Sequence, residues 1–157
     1  MTNVERLLIG IAELEMSENQ QDSKKIKKEL RKTISEIQSN KKTAEAIVRE
    51  IMAELGSPES LIGFPYIIKG ILMCVENENM INQITFRLYP EIAACFDTTA
   101  SRVERGIRHV VEVIFTRGDE DAIAKYFRNS ISPDKGKVTN GEFIARIANI
   151  VRFQLSV

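Results

Sequence analysis

Thr98-Thr99-Ala100-Ser101-Arg102-Val103-Glu104-Arg105-Gly106-Ile107-Arg108-His109 decides how the rest of this chain is read. Continued to Ile114, the segment places Val103, Ile107, Val110, Val111 and Ile114 at spacings of three and four, the buried stripe of an amphipathic helix. Arg102, Glu104, Arg105 and Arg108 fall outside that stripe. Thr98 and Thr99 stand where hydroxyls accept the orphan N–H groups of a first turn, and Ser101 with Glu104 has capping-box spacing. The charged side chains therefore gather near the helix N-terminus. That is the part of a helix-turn-helix reader that enters the major groove.

Just upstream, Tyr89-Pro90-Glu91-Ile92-Ala93-Ala94-Cys95-Phe96 predicts a companion helix. Pro90 suits a first turn, where its missing N–H would be unpaired anyway, and Ile92, Ala93 and Phe96 form an apolar face. Asp97-Thr98-Thr99 is a turn short enough to set two helices at a steep angle, and the small Ala93 permits close approach. Spacing alone leaves a second reading open, because a solvated surface helix carrying three arginines has the same pattern.

Longer stretches carry a resemblance. Leu88-Tyr89-Pro90-Glu91-Ile92-Ala93, the run Thr98 to Arg105, and Ile107-Arg108-His109 resemble the effector domain of the stage-zero sporulation master regulator of spore-forming bacteria. Ile62-Gly63-Phe64-Pro65 and Ile68-Lys69-Gly70 look like that domain's opening. Lys135-Gly136-Lys137-Val138-Thr139-Asn140-Gly141-Glu142-Phe143-Ile144-Ala145 resembles its closing segment, so the likeness covers about residues 44 to 154. The resemblance implies an all-helical domain that binds double-stranded DNA at short TGTCGAA-like elements, often in tandem, and regulates transcription. Carried over by position, it makes Arg102, Glu104 and Arg105 the base readers. Their chemistry agrees, since arginine donates two parallel hydrogen bonds to guanine and glutamate accepts from cytosine N4. Thr98, Thr99, Ser101, Arg108 and His109 are then phosphate contacts, which position without specifying.

The chain departs from the family in places. Gly106 replaces the usual alanine, which costs a helix about 1 kcal/mol and predicts a looser recognition helix unless close packing needs it. Phe115 stands for a tryptophan and Ile67 for a common histidine, and the stretch from Ile71 to Asn82 follows the family poorly. The family regulator also has a phosphoacceptor receiver domain, and the alternating strands and helices it needs are not expected in residues 1–41. Instead Val4, Leu7, Leu8, Ile11 and Leu14 predict one amphipathic helix, and Ile26, Leu30, Ile34 and Ile37 a second with a narrow seam. Such a seam serves packing within the chain, contact with a partner, or a homodimer through the N-terminal helices. Glu5, Glu13, Glu15 and Glu18 on the first helix oppose Lys24, Lys25, Lys27, Lys28, Arg31 and Lys32 on the second, which favours antiparallel docking.

Three further helices are expected before the reader: Thr43 to Leu55, stopped by Gly56-Ser57-Pro58, then one from Pro65 or Tyr66 to about Val75, then Met80 to Leu88. After it come a short helix from Asp121 to Phe127, a loop from Ser130 to Val138, and a last helix opened by a Thr139/Glu142 capping box. No segment alternates like a strand, so the fold class is all-α: residues 42–157 as the helix-turn-helix domain and residues 1–41 as a helical extension.

Composition bounds the function. With 157 residues and 43% hydrophobic content the chain can bury a core, and 22 basic against 22 acidic residues leave no global basic field. DNA binding must rest on a local patch, Arg102, Arg105 and Arg108 with Lys135 and Lys137. Cys74 and Cys95 lie in apolar helix faces without metal or redox spacing and are expected to be buried. His109 has no orienting group or phosphate loop to accompany it, so no catalytic residue, metal or cofactor is expected. The apolar run from Leu7 to Leu14 is too short to span a membrane, which predicts a cytoplasmic protein. Two functions follow: a sequence-specific transcription regulator working without phosphorylation, or a modulator that contacts the full-length regulator or RNA polymerase and does not read DNA.

Overall fold

The computed structural model describes residues 2–128 and 136–156, and of residues 39–43 the backbone alone. Among the described residues all regular structure is helical. No helix there is long and apolar enough to cross a membrane. The chain divides into two compact units, Met1–Thr43 and Ala44–Val157.

The first unit pairs helix α1, Asn3–Met16, with the opening part of α2, Gln20–Glu54. Thr2 and Glu5 start α1 with a capping box, the Glu5 N–H donating to Thr2 Oγ1 at 3.1 Å and the Thr2 N–H to Glu5 Oε2 at 2.7 Å. Gly10 is buried where the two helices approach, and a Cβ there would stand 2.6 Å from Leu30 Cδ2. Arg6 reaches Glu36 at 2.9 Å. Leu30 of the α2 seam therefore faces α1 within the chain, while Ile34 of the same seam stays exposed. The separate helices expected before and after residue 40 are one element, because no glycine or proline interrupts the stretch Gln20–Glu54 and Ser39-Asn40 is too weak a breaker.

The second unit builds its core from the rest of α2 and from α3, Phe64–Glu76; α4, Tyr89–Cys95; α5, Ala100–Arg117; α6, Glu120–Phe127; and α7, Asn140–Ser156. Helix α2 ends at Gly56, whose φ of 79° lets the Ser57 N–H turn back to Met52 O at 3.0 Å. The segment expected as one helix from Met80 to Leu88 is a 3-10 turn, Glu78–Gln83, followed by a π-helical turn, Ile84–Leu88. Pro90 explains the widened turn. It has no N–H for the Phe86 carbonyl, and the Tyr89 N–H bonds Ile84 O, five residues back.

Helix α7 opens through the expected capping box, with both Thr139–Glu142 bonds formed at 2.8 and 3.2 Å. It presents Phe143, Ile144, Ile147 and Val151 to the core, where Phe143 stacks on Phe127 at 5.0 Å and Phe115 meets Phe127 edge-on at 5.5 Å. Ile67 is fully buried, so that departure from the family falls at a packing position. Cys74 is buried, and burial pushes its thiol up to about 11. Cys95, expected inside, is exposed, because Tyr89, Ile92 and Ala93 take the core face of the two-turn α4.

Candidate nucleic-acid interface

Helices α4 and α5 are joined by a turn with its own local logic. Asp97 adopts a φ of 51°, a left-handed conformation that aspartate tolerates better than most residues with a Cβ. That geometry lets the Thr98 N–H return to Ala93 O at 3.0 Å and closes α4. Thr99 then caps α5, its Oγ1 accepting the Arg102 N–H at 3.2 Å. The cap is Thr99 alone. Ser101 sits inside the first turn and Glu104 points elsewhere, so the Ser101/Glu104 capping box does not form.

The buried face of α5 is the expected one: Val103, Ile107, Val110, Val111 and Ile114. Ser101, Arg102, Arg105, Arg108 and His109 are exposed on the other side, and Glu104 is half-buried. Ser101, Glu104, Arg105, Arg108, His109 and Glu112 line an open groove of about 800 Å³. Within it Arg108 donates to Glu104 Oε2 at 2.9 Å, a same-face pair one turn apart. Among the described residues no ion pair engages Arg102 or Arg105. Their guanidinium groups are at the N-terminal half of the helix and open to solvent.

Lys137 is brought beside this helix, donating to Glu112 Oε1 at 2.9 Å. The hydrogen bond and charge of Lys137, with Arg108 and His109 adding to them, hold the Glu112 carboxyl below its ordinary range. Lys135 lies outside the described residues. Glu112 carried no signal in the sequence that set it apart from any other helical glutamate. Neither did Asn140, whose Nδ2 donates to Tyr89 OH at 3.1 Å and to the Glu104 carbonyl at 3.2 Å, tying the start of α7 to both helices of the motif.

Gly106 has a packing reason. A Cβ on Gly63 would fall 2.0 Å from the Gly106 carbonyl oxygen, and a Cβ on Gly106 3.1 Å from both Gly63 Cα and the Tyr66 ring. The expected looseness is therefore replaced by a close backbone crossing of the start of α3 over α5. Tyr66 also meets Phe96 edge-on at 5.2 Å, which anchors the end of α4.

An all-helical unit with a short-turned helix pair, a capped second helix and an open arginine face is the architecture of a DNA reader. Residues 48–151 match the family described as sporulation initiation factor Spo0A C terminal, and the chain belongs to that family, carrying the DNA-binding effector domain of a sporulation regulator.

Proposed function

We propose that this protein is a sequence-specific, double-stranded DNA-binding transcription regulator that acts without phosphorylation. Arg102, Glu104 and Arg105 read bases, and Thr98, Thr99, Ser101, Arg108, His109, Lys135 and Lys137 contact the backbone. The observation that carries this reading is the exposure of Arg102 and Arg105 at the N-terminal half of α5, with no carboxylate pairing them among the described residues. A bidentate donor already held by a carboxylate would lose that bond on reaching guanine; these two give up only bonds to water. Glu104 is held by Arg108 through Oε2, so it accepts from cytosine N4 by sharing or releasing that bond.

The reading takes TGTCGAA-like duplex as the target, with RNA polymerase and a second copy of the chain, met through residues 1–41, as protein partners. With equal numbers of basic and acidic residues, non-specific affinity is low and specificity rests on the local patch.

Titrating labelled duplex carrying the element against a scrambled duplex, at two salt concentrations, tests the reading. The element binds more tightly, Arg105→Ala loses about 1–3 kcal/mol on it alone, and acetyl phosphate changes neither affinity. Equal affinity for the two duplexes sinks the reading and leaves an interaction module in its place.

A further inference from the structure

Two backbone contacts grip helix α5 at the level of its arginines, and they come from opposite sides. On one flank the start of α3 crosses so closely that a Cβ on Gly63 would collide with the Gly106 carbonyl. On the other, Asn140 Nδ2 donates to the Glu104 carbonyl at 3.2 Å. At about 100° per residue, positions 104 and 106 stand about 200° apart around the helix, with Arg105 midway between them. Contacts on two flanks fix the roll of a helix about its own axis. On a helix about 10–12 Å across, a roll of about 10° carries an outer side chain about 1 Å. That exceeds the whole range of a good N–H···O distance, about 2.7–3.2 Å.

The Asn140 side of this grip is chemically specific. A carbonyl can only accept, so the amide must turn its NH2 toward Glu104, and the same nitrogen donates to Tyr89 OH at 3.1 Å. One NH2 group, with its two donors, thus joins α4 through Tyr89 and α5 through Glu104. The Glu104 carbonyl has a second lone pair, so it takes this bond without leaving the α5 ladder. Asn140 is itself held. It opens α7 between Thr139 and Glu142, whose capping box is formed, and Phe143, Ile144 and Ile147 anchor that helix in the core. We propose that Asn140 is a positioning residue for base reading, acting through α5 rather than on DNA, by holding the helix at the roll that brings Arg105 to guanine. The proposal rests on the reading of Arg105 as a base contact.

Titrating the element and the scrambled duplex against wild type, Asn140→Ala, Arg105→Ala and the double variant tests this, with circular dichroism on each protein at the temperature used. Asn140→Ala weakens binding to the element about fivefold to tenfold. Affinity for the scrambled duplex and the salt slope stay as in wild type, because no phosphate contact is removed. In the Arg105→Ala background the same substitution costs less than about twofold, whereas a residue that served folding alone would cost the same in both. Asn140→Asp, matched in size and favoured at a helix start, sets a carboxylate against the Glu104 carbonyl. Its ratio of element to scrambled affinity falls as far as that of Asn140→Ala, and the ratio cancels the added charge. That variant carries the test if alanine unfolds the domain. Equal losses on the two duplexes, or equal losses with and without Arg105, overturn the positioning role and leave base reading standing. A wild type that binds both duplexes alike overturns base reading and the positioning role with it.

Discussion

Helices α1 and α5 have the same kind of sequence and opposite fates. Both are rich in aliphatic residues at helical spacing, but α5 buries Val103, Ile107, Val110, Val111 and Ile114, whereas α1 buries a glycine. The difference lies in their neighbours. Helix α5 is packed by its sequence neighbour α4 and by α3 and α7, brought from farther along the chain, while α1 lies along part of α2 within a unit of its own. An apolar stripe is a demand for cover; how much of it is met depends on how many elements converge there.

Truncation at matched positions measures that contrast most strongly. Ile107→Ala opens a cavity under α5 and lowers the unfolding free energy by about 3 kcal/mol, whereas Leu8→Ala in dilute solution changes it by less than about 0.5 kcal/mol. Denaturant titrations of the two variants giving equal losses would break the comparison.

The glycines sharpen it at the next level. Gly63→Ala drives a Cβ to 2.0 Å from the Gly106 carbonyl oxygen, which is backbone and cannot step aside, so thermal unfolding should report a loss of about 2 kcal/mol. Gly10→Ala meets Leu30 Cδ2 at 2.6 Å and Cγ at 3.2 Å, side chain rather than backbone, and gains about 1 kcal/mol of helix propensity that offsets the shift this needs. Its melting temperature stays close to that of wild type.

The smallest effect concerns charge. Glu112→Gln removes a carboxylate from the groove on α5 and frees Lys137. Duplex affinity rises about twofold to fivefold and the logarithmic salt slope steepens by about 0.9. Glu13→Gln in the hairpin leaves both unchanged. Because Glu112 is held below its ordinary value of 4.5, the Lys137 bridge is complete above that pH and is lost as pH falls through the lowered value. Wild-type binding therefore shows no step from this group between neutral pH and 4.5.

Much of the effector unit was legible beforehand. The α5 stripe, the Pro90 start of α4 and the Thr139/Glu142 box are local patterns, each satisfied within one turn or along one face. What was misread depended on distant neighbours or on competition between nearby groups. Ser101 and Glu104 have capping spacing, but Thr99 takes the cap and Arg108 takes the glutamate. Cys95 lies in an apolar-looking segment too short to bury more than one face. Gly106 looked like a weak point until Gly63 was placed against it.

By itself the sequence determined the helical class, the capped α5 with its buried and charged faces, and the family likeness, because periodicity and capping are short-range and need no partner to be recognised. Tertiary structure decided which charges pair and which stay open, why glycine sits at position 106, and that Asn140 holds the motif from α7. It also decided that the two-helix unit leaves several apolar residues of α1 uncovered. Those outcomes depend on which segments meet in space, and no spacing along the chain encodes them.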